Sequence, residues 1–287
     1  MSKSAVALTC ILAGLAAVSL PARATDPVAV SSTASEEYTQ QKFGPGASKP
    51  ESYLFFQGKF FGGTVRDPNL EHAQFNDIVK TLAGSMVRQN YFPTKDPKNA
   101  DLLIVVHWGT TTVYDNPNRQ DDLQRKNDAI AAEQAAGPSM DHAAINQELA
   151  IADLEQGVEE NSIAYNSRLL GFRDQLAKES SKLASSSSGM SDGEIALKLL
   201  LNEERYFVIL MAYDFHTMKK GTRPKLLWST RFSIRSPGNT FTASLPVMSK
   251  AAEDYFGRAV DGLKFEKPDV PKGKVDVGVP RIVGDGK

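Results

Sequence analysis

Two apolar runs, about a hundred residues apart, constrain the fold of this chain more than any other feature. Leu102–Val106 and Tyr206–Tyr213 are apolar at every position. A run without a polar side is typical of a strand that is covered on both faces of a sheet. We therefore expect both runs to be central strands of one shared sheet, with the chain between them forming an insertion.

The segments around these two runs predict the remaining elements. The Tyr53–Phe61 segment predicts a first strand, and Trp228–Arg235 alternates apolar and polar residues as a half-exposed strand does. A helix between the first two strands is predicted by apolar residues that recur every three or four positions: Phe75, Ile78, Leu82 and Met86. The predicted fold is α+β, a small mixed sheet of about four strands in the order β-α-β, helical insertion, β-β-α, with a long helical arm.

Composition shifts along the chain predict six segments. A Ser, Thr, Gly and Pro-rich stretch precedes the first strand, and a Pro and Gly-rich stretch follows the last helix. The predicted division is a signal peptide (1–24), a flexible leader (25–50), an α/β core in two parts (51–118 and 205–265), a helical insertion (119–204) and a disordered tail (266–287).

The amino terminus has the three parts of a secretory signal. Lys3 is followed by an uncharged run, Ala5–Leu20, and then by the small-x-small pattern Ala22-Arg23-Ala24. The run is shorter than the roughly 18 to 20 residues that span a bilayer. We therefore expect export to the periplasm or the extracellular space, cleavage after Ala24 and no transmembrane segment in the mature chain.

Charge and cysteine content exclude several classes of protein. The 33 basic and 34 acidic residues leave a net charge of −1, so the chain lacks the basic footprint of a nucleic-acid-binding protein. The single cysteine, Cys10, lies inside the predicted signal peptide. After cleavage, disulfides and thiolate metal sites are excluded.

The predicted insertion carries a short heptad pattern. Two sets of apolar residues recur every seven positions: Val158, Tyr165 and Phe172, and Leu169, Leu176 and Leu183. Such a seam is typical of helices that associate. We expect residues 139–183 to contact a protein partner or a second copy of the chain.

Candidate sites for chemistry are few. Asp214 and His216 are two apart and share a strand face, and His107 could join them as a metal-binding or hydrolytic site if the two strands were neighbours. Arg231 and Arg235 share the wet face of their strand and could bind an anion, although ordinary surface charge is the favoured explanation. A small-ligand binding module is a third alternative.

Two local patterns carry a resemblance to a known type of protein. They are Leu82…Met86…Tyr91 followed by Ala100–Val105, and Leu227-Trp228-Ser229 before the last helix. The chain resembles small exported α/β domains of unknown function in bacterial envelope proteins, which are similar in outline to periplasmic domains of secretion and envelope-maintenance proteins. The resemblance covers residues 50–114 and 205–265. It implies a non-enzymatic envelope protein, so we expect no catalytic residue, no cofactor and no metal.

Overall fold

A computed structural model describes residues 26–46, 49–114, 124–125, 127–131, 157–182, 189–221 and 223–267. The predicted signal peptide, most of the predicted insertion before residue 157 and the predicted tail beyond residue 267 lie outside the described residues. The described residues therefore cover most of the predicted leader, most of both parts of the predicted core and much of the second half of the insertion.

Seven strands among the described residues form one mixed sheet. They are β1 (Val28–Ala34), β2 (Glu51–Phe61), β3 (Tyr91–Pro93), β4 (Leu102–Thr110), β5 (Arg205–Asp214), β6 (Leu226–Arg235) and β7 (Lys264–Glu266). Their order across the sheet is β3-β2-β4-β5-β6-β1-β7. The strands β3, β2 and β4 run parallel to one another, and every other neighbouring pair is antiparallel.

Helices cover both faces of this sheet. They are α1 (Glu36–Phe43), α2 (Pro68–Glu71), α3 (Phe75–Met86), α4 (127–131), α5 (157–170), α6 (Arg173–Ser181), α7 (Asp192–Leu201), α8 (Phe215–Lys219) and α9 (Phe241–Ala252). Two short 3₁₀ turns, Val87–Gln89 and Pro97–Asn99, flank β3. The Asp67 carboxylate caps α2, because it accepts the N–H groups of Asn69 and Leu70.

The two apolar runs do pair with each other. β4 lies antiparallel to β5 over nine residue pairs, from Leu102 opposite Asp214 to Thr110 opposite Tyr206. The predicted fold class is nevertheless wrong, since a sheet of about four strands was expected and the described residues form seven. The additional strands are β1 and β7 at one side and the short β3 at the other.

The predicted flexible leader accounts for part of this difference. Residues 28–34 form β1, which lies between β6 and β7 and pairs with both. Val28 and Val30 are fully buried. The sequence did not predict this strand, because the hydroxyl residues Ser31-Ser32-Thr33 in its second half interrupt the apolar pattern. These hydroxyl residues take part in the sheet through hydrogen bonds, and the Ser32 hydroxyl contacts the Thr230 hydroxyl at 2.8 Å.

A buried lysine fastens α1 to the other side of the sheet. The Lys42 side chain is fully buried, and its Nζ donates to the carbonyl oxygens of Lys49 and Asn90 and lies 3.3 Å from a Glu51 carboxylate oxygen. Burial lowers the pKa of Lys42, while Glu51 opposes that shift. Tyr38 donates its hydroxyl to the same Glu51 carboxylate at 2.6 Å. These bonds hold the connection that crosses from β1 to β2.

The described half of the insertion packs on the sheet as a layer. Its buried side chains join those of β1 and β5 in one apolar cluster: Ala29, Ile163, Leu170, Phe172, Leu197, Leu201, Phe207 and Ile209. The predicted long arm is therefore wrong for residues 157–182 and 189–201. The residues of the first heptad set do not share one environment, because Phe172 is buried in this cluster whereas Val158 and Tyr165 are exposed. A sheet with two apolar faces needs a second covering layer, and these helices provide it.

The structural importance of β1 can be tested with two substitutions on one strand. Val30→Asp places an unpaired charge in the core and should lower the free energy of unfolding by more than about 3 kcal/mol. Thr33→Asp, at an exposed position of the same strand, should change it by less than about 1 kcal/mol. Urea unfolding followed by tryptophan fluorescence measures both. Equal stability of the two variants would show that this segment is a flexible leader after all.

Candidate functional site

The structure separates His107 from the other two residues of the predicted metal or hydrolytic site, Asp214 and His216, which lie together at the start of α8. Asp214 lies opposite Leu102 at one end of the β4–β5 pair, and His107 lies opposite Ile209. The five residue-to-residue steps from Leu102 to His107 correspond to about 16 Å along the strand. Because β4 and β5 run antiparallel, Asp214 at the end of β5 lies beside the start of β4, and His107 lies further along β4. The described residues contain no group of three His, Cys, Asp or Glu side chains able to hold a metal ion.

Asp214 caps a helix. One carboxylate oxygen accepts the Thr217 backbone N–H at 2.9 Å and the other accepts the Thr217 hydroxyl at 2.6 Å, at the start of α8. Partial burial pushes the pKa of Asp214 upward, but these hydrogen bonds outweigh it and leave the pKa below its ordinary value. The carboxylate therefore stabilises the turn from β5 into α8.

His216 pairs with Asp101, a residue that the sequence analysis did not propose for the site. Its Nε2 lies 3.1 Å from one Asp101 oxygen, and the other oxygen accepts the Ser52 backbone N–H at 2.8 Å and the Ser52 hydroxyl at 2.7 Å. Burial raises the pKa of Asp101, but these bonds lower it more. In a Ser-His-Asp triad the imidazole accepts the serine proton, whereas here the Asp101 carboxylate lies between the Ser52 hydroxyl and the His216 imidazole. The contact therefore joins β2, β4 and α8.

His107 lies on the face of the sheet that α5–α7 partly cover, beside an irregularity in β2. The register of β2 against β4 shifts between Gln57 and Phe60. Within this bulge the Lys59 backbone N–H donates to His107 Nδ1 at 2.8 Å. A side chain at Gly58 would approach the same nitrogen to 2.7 Å, so the bulge requires glycine there. The bond leaves the imidazole proton on Nε2.

Arg231 lies in the same row across the sheet. His107, Ile209, Arg231 and Ser31 stand opposite one another on β4, β5, β6 and β1. Burial lowers the pKa of His107, and the positive charges of Arg231 and Lys59 lower it further. We call Lys59, His107 and Arg231 the cationic cluster. The sequence analysis placed Arg231 with Arg235, but Arg235 is 3.8 Å from a Glu203 carboxylate oxygen.

Comparison with known proteins adds little. No protein-family model matches the sequence, and no curated protein matches it. Among solved structures, the chain is similar to a PDZ domain protein from Parabacteroides distasonis ATCC 8503, with 9% sequence identity and a TM-score of 0.35. The match covers 84% of this chain and 39% of that chain. It is a distant structural neighbour, and at this score the likeness carries no argument about fold or function.

In the described parts of the chain, no helix combines the length and the apolar character needed to cross a bilayer.

The environment of His107 predicts how stability depends on pH. The folded protein favours the neutral imidazole, whereas the unfolded chain takes up the proton near the ordinary pKa of 6.5. This contribution to stability is therefore present above pH 6.5 and is lost as the pH falls below it. The unfolding midpoint in urea should drop more between pH 7.5 and 5.5 for the unmodified protein than for His107→Gln, which retains an acceptor for Lys59. Parallel pH profiles would contradict this.

Proposed function

We propose that this chain is an exported, non-enzymatic protein of the bacterial cell envelope that acts by binding another protein. The binding surface in this proposal is the outer side of the helical layer α5–α7. The proposal combines the signal pattern of residues 1–24, the resemblance to exported envelope domains and the arrangement of apolar side chains on that layer.

The single observation that carries the proposal is a set of large apolar side chains on the outer side of these helices. Val158 and Tyr165 are 43% and 45% exposed and lie seven residues apart on α5. Ile195 and Leu199 are 41% and 63% exposed and lie four apart on α7. Both spacings place the two members of a pair on one helix face. Isolated exposed apolar residues are ordinary, but repeated ones on adjoining helices favour a binding surface.

Hydrogen bonds bring the two helices together. The Asn166 side chain donates to the Leu201 carbonyl oxygen at 3.0 Å, and the Asn202 side chain donates to a Glu159 carboxylate oxygen at the same distance. Asn166 is fully buried. The helices are therefore held in a defined relation, so a partner would meet a preformed surface and lose little affinity to ordering.

The polar residues first considered for chemistry support a non-enzymatic role. Asp101 and His216 form bonds that fasten β2, the start of β4 and α8 to one another, and Asp214 caps α8. Groups used in this way stabilise the fold, because the Asp101 carboxylate of the Asp101–His216 pair is also bound by Ser52 and the Asp214 carboxylate is bound by Thr217.

Photo-crosslinking from Tyr165 tests the proposed surface. A photoreactive amino acid at Tyr165 should yield a discrete adduct in living cells, and Val158→Glu should abolish it because a charge then occupies the same helix face. The control position is Val87, which is equally exposed but follows α3. Mass spectrometry of the adduct distinguishes another protein from a second copy. Adducts that are absent at Tyr165, or the same at both positions, would refute the proposal.

Export is tested by the mature amino terminus. Mass spectrometry of the protein recovered from the cell envelope should find Thr25 as the first residue, since cleavage follows Ala24. Ala24→Asp replaces the small residue at the cleavage site and should leave the precursor unprocessed. Recovery of the unprocessed chain, beginning at Met1, from the cytoplasmic fraction would contradict export.

A further inference from the structure

Arg231 carries a buried donor that nothing in the described chain satisfies. Its Nε is buried and has no hydrogen-bond partner. Arg205, on the same face of the sheet, shows the usual arrangement, because its guanidinium donates to the Ser233 hydroxyl at 3.2 Å and to the Ser233 carbonyl oxygen at 3.1 Å. A buried charged donor left unpaired is destabilising, so it needs an explanation beyond packing.

Other donors lie nearby on the same face of the sheet. Ser229, two residues before Arg231 on the same face of β6, has a buried hydroxyl without a hydrogen-bond partner. The Lys59 ammonium lies over the Phe61 ring at 4.8 Å, and the Phe61 and His107 rings are 6.5 Å apart. In the described parts of the chain, no carboxylate forms an ion pair with Arg231, Lys59 or His107. The cationic cluster is therefore uncompensated.

The turn between α5 and α6 holds the stem of Arg231 in place. Gly171 has a φ of +78°, and a Cβ there would lie 3.1 Å from Arg231 Cδ and 2.6 Å from the Ser31 hydroxyl. The Ser31 hydroxyl donates to the Gly171 carbonyl oxygen at 3.1 Å. Only glycine permits this close approach. A guanidinium whose stem is fixed in this way is oriented before any ligand arrives.

We propose that the cationic cluster binds an oxyanion of the phosphate class on the face of the sheet beside α5–α7. The Arg231 guanidinium and the Ser229 hydroxyl donate to its oxygens, and Lys59 and the His107 Nε2–H approach from the β2 side. A planar guanidinium matches the geometry of phosphate oxygens and forms strong, charge-assisted hydrogen bonds with them. This site is separate from the outer helix surface, so its failure would leave the proposed protein interaction standing.

Inorganic phosphate is the probe for the first experiment. Isothermal titration and thermal unfolding, at constant ionic strength set with chloride, should show one phosphate bound per chain and a melting temperature that rises with phosphate concentration. Arg231→Gln should weaken binding by about tenfold or more, since a charged hydrogen-bond donor is removed. Arg235→Gln, on the same strand face but next to Glu203, should bind within about twofold of the unmodified protein. No phosphate-dependent stabilisation, or equal losses in the two variants, would overturn the proposal.

A second variant protects the test against a folding defect. Lys59 is exposed, so Lys59→Gln should fold normally and still bind phosphate several-fold more weakly. Unchanged phosphate affinity in Lys59→Gln would overturn the proposal even if Arg231→Gln did not fold.

Vesicles distinguish the source of the phosphate. A lipid headgroup would be assigned if the protein sediments with phosphatidylglycerol vesicles but not with pure phosphatidylcholine vesicles. This sedimentation should be lost in Arg231→Gln. Phosphate binding without sedimentation would assign a free phosphate-bearing ligand. Either result supports the oxyanion site, and absence of both overturns it.

Discussion

The pairing of β4 with β5 is the contact on which the rest of the structure depends. It joins two segments separated by about a hundred residues, and both strands are apolar on both sides, as Val208 and Ile209 show on adjacent positions of β5. Such a pair is stable only if each face is covered. One face is covered by α3 and α9, with a cluster that includes Leu82 and Met248, and the other by the helices of the insertion. The described part of the insertion is therefore part of the hydrophobic core rather than an addition to it.

The sequence predicted the parts of this fold that carry a strong apolar period. The central strands, α3 and the β-α-β unit all follow from such patterns, and the structure contains them. The strand β1 could not be found this way, because its buried polar residues are satisfied by distant partners. The Ser32 hydroxyl donates to the carbonyl oxygens of Tyr255 and Arg258, more than two hundred residues away. The hydrophobic pattern of a segment does not reveal such long-range hydrogen bonds. A buried strand that is rich in serine therefore has the sequence pattern of a loop.

The contacts in the candidate site likewise depend on distant parts of the chain, which the local sequence does not reveal. Residue types suggested that His107, Asp214 and His216 could meet, but strand direction decides which of them do. Antiparallel pairing brings the start of β4 to the end of β5, and Asp101 rather than His107 reaches His216. Arg231 was noted from its alternation along β6, whereas its lack of a partner depends on neighbours in three other strands. A single sequence indicates which groups could act, but the fold decides which of them lie close together.

The edges of the sheet limit the ways in which another chain can join it. At one side β3 has only three residues and ends in Pro93, and the longer exposed margin of β2 is interrupted by the bulge that carries Lys59. At the other side β7 is equally short and bears charged residues at both ends, Lys264 and Glu266. Short strands, proline, bulges and lysine are the devices that prevent edge-to-edge aggregation. Extension of the sheet by an incoming strand is thus disfavoured, and recognition would proceed through side chains rather than through shared backbone ladders.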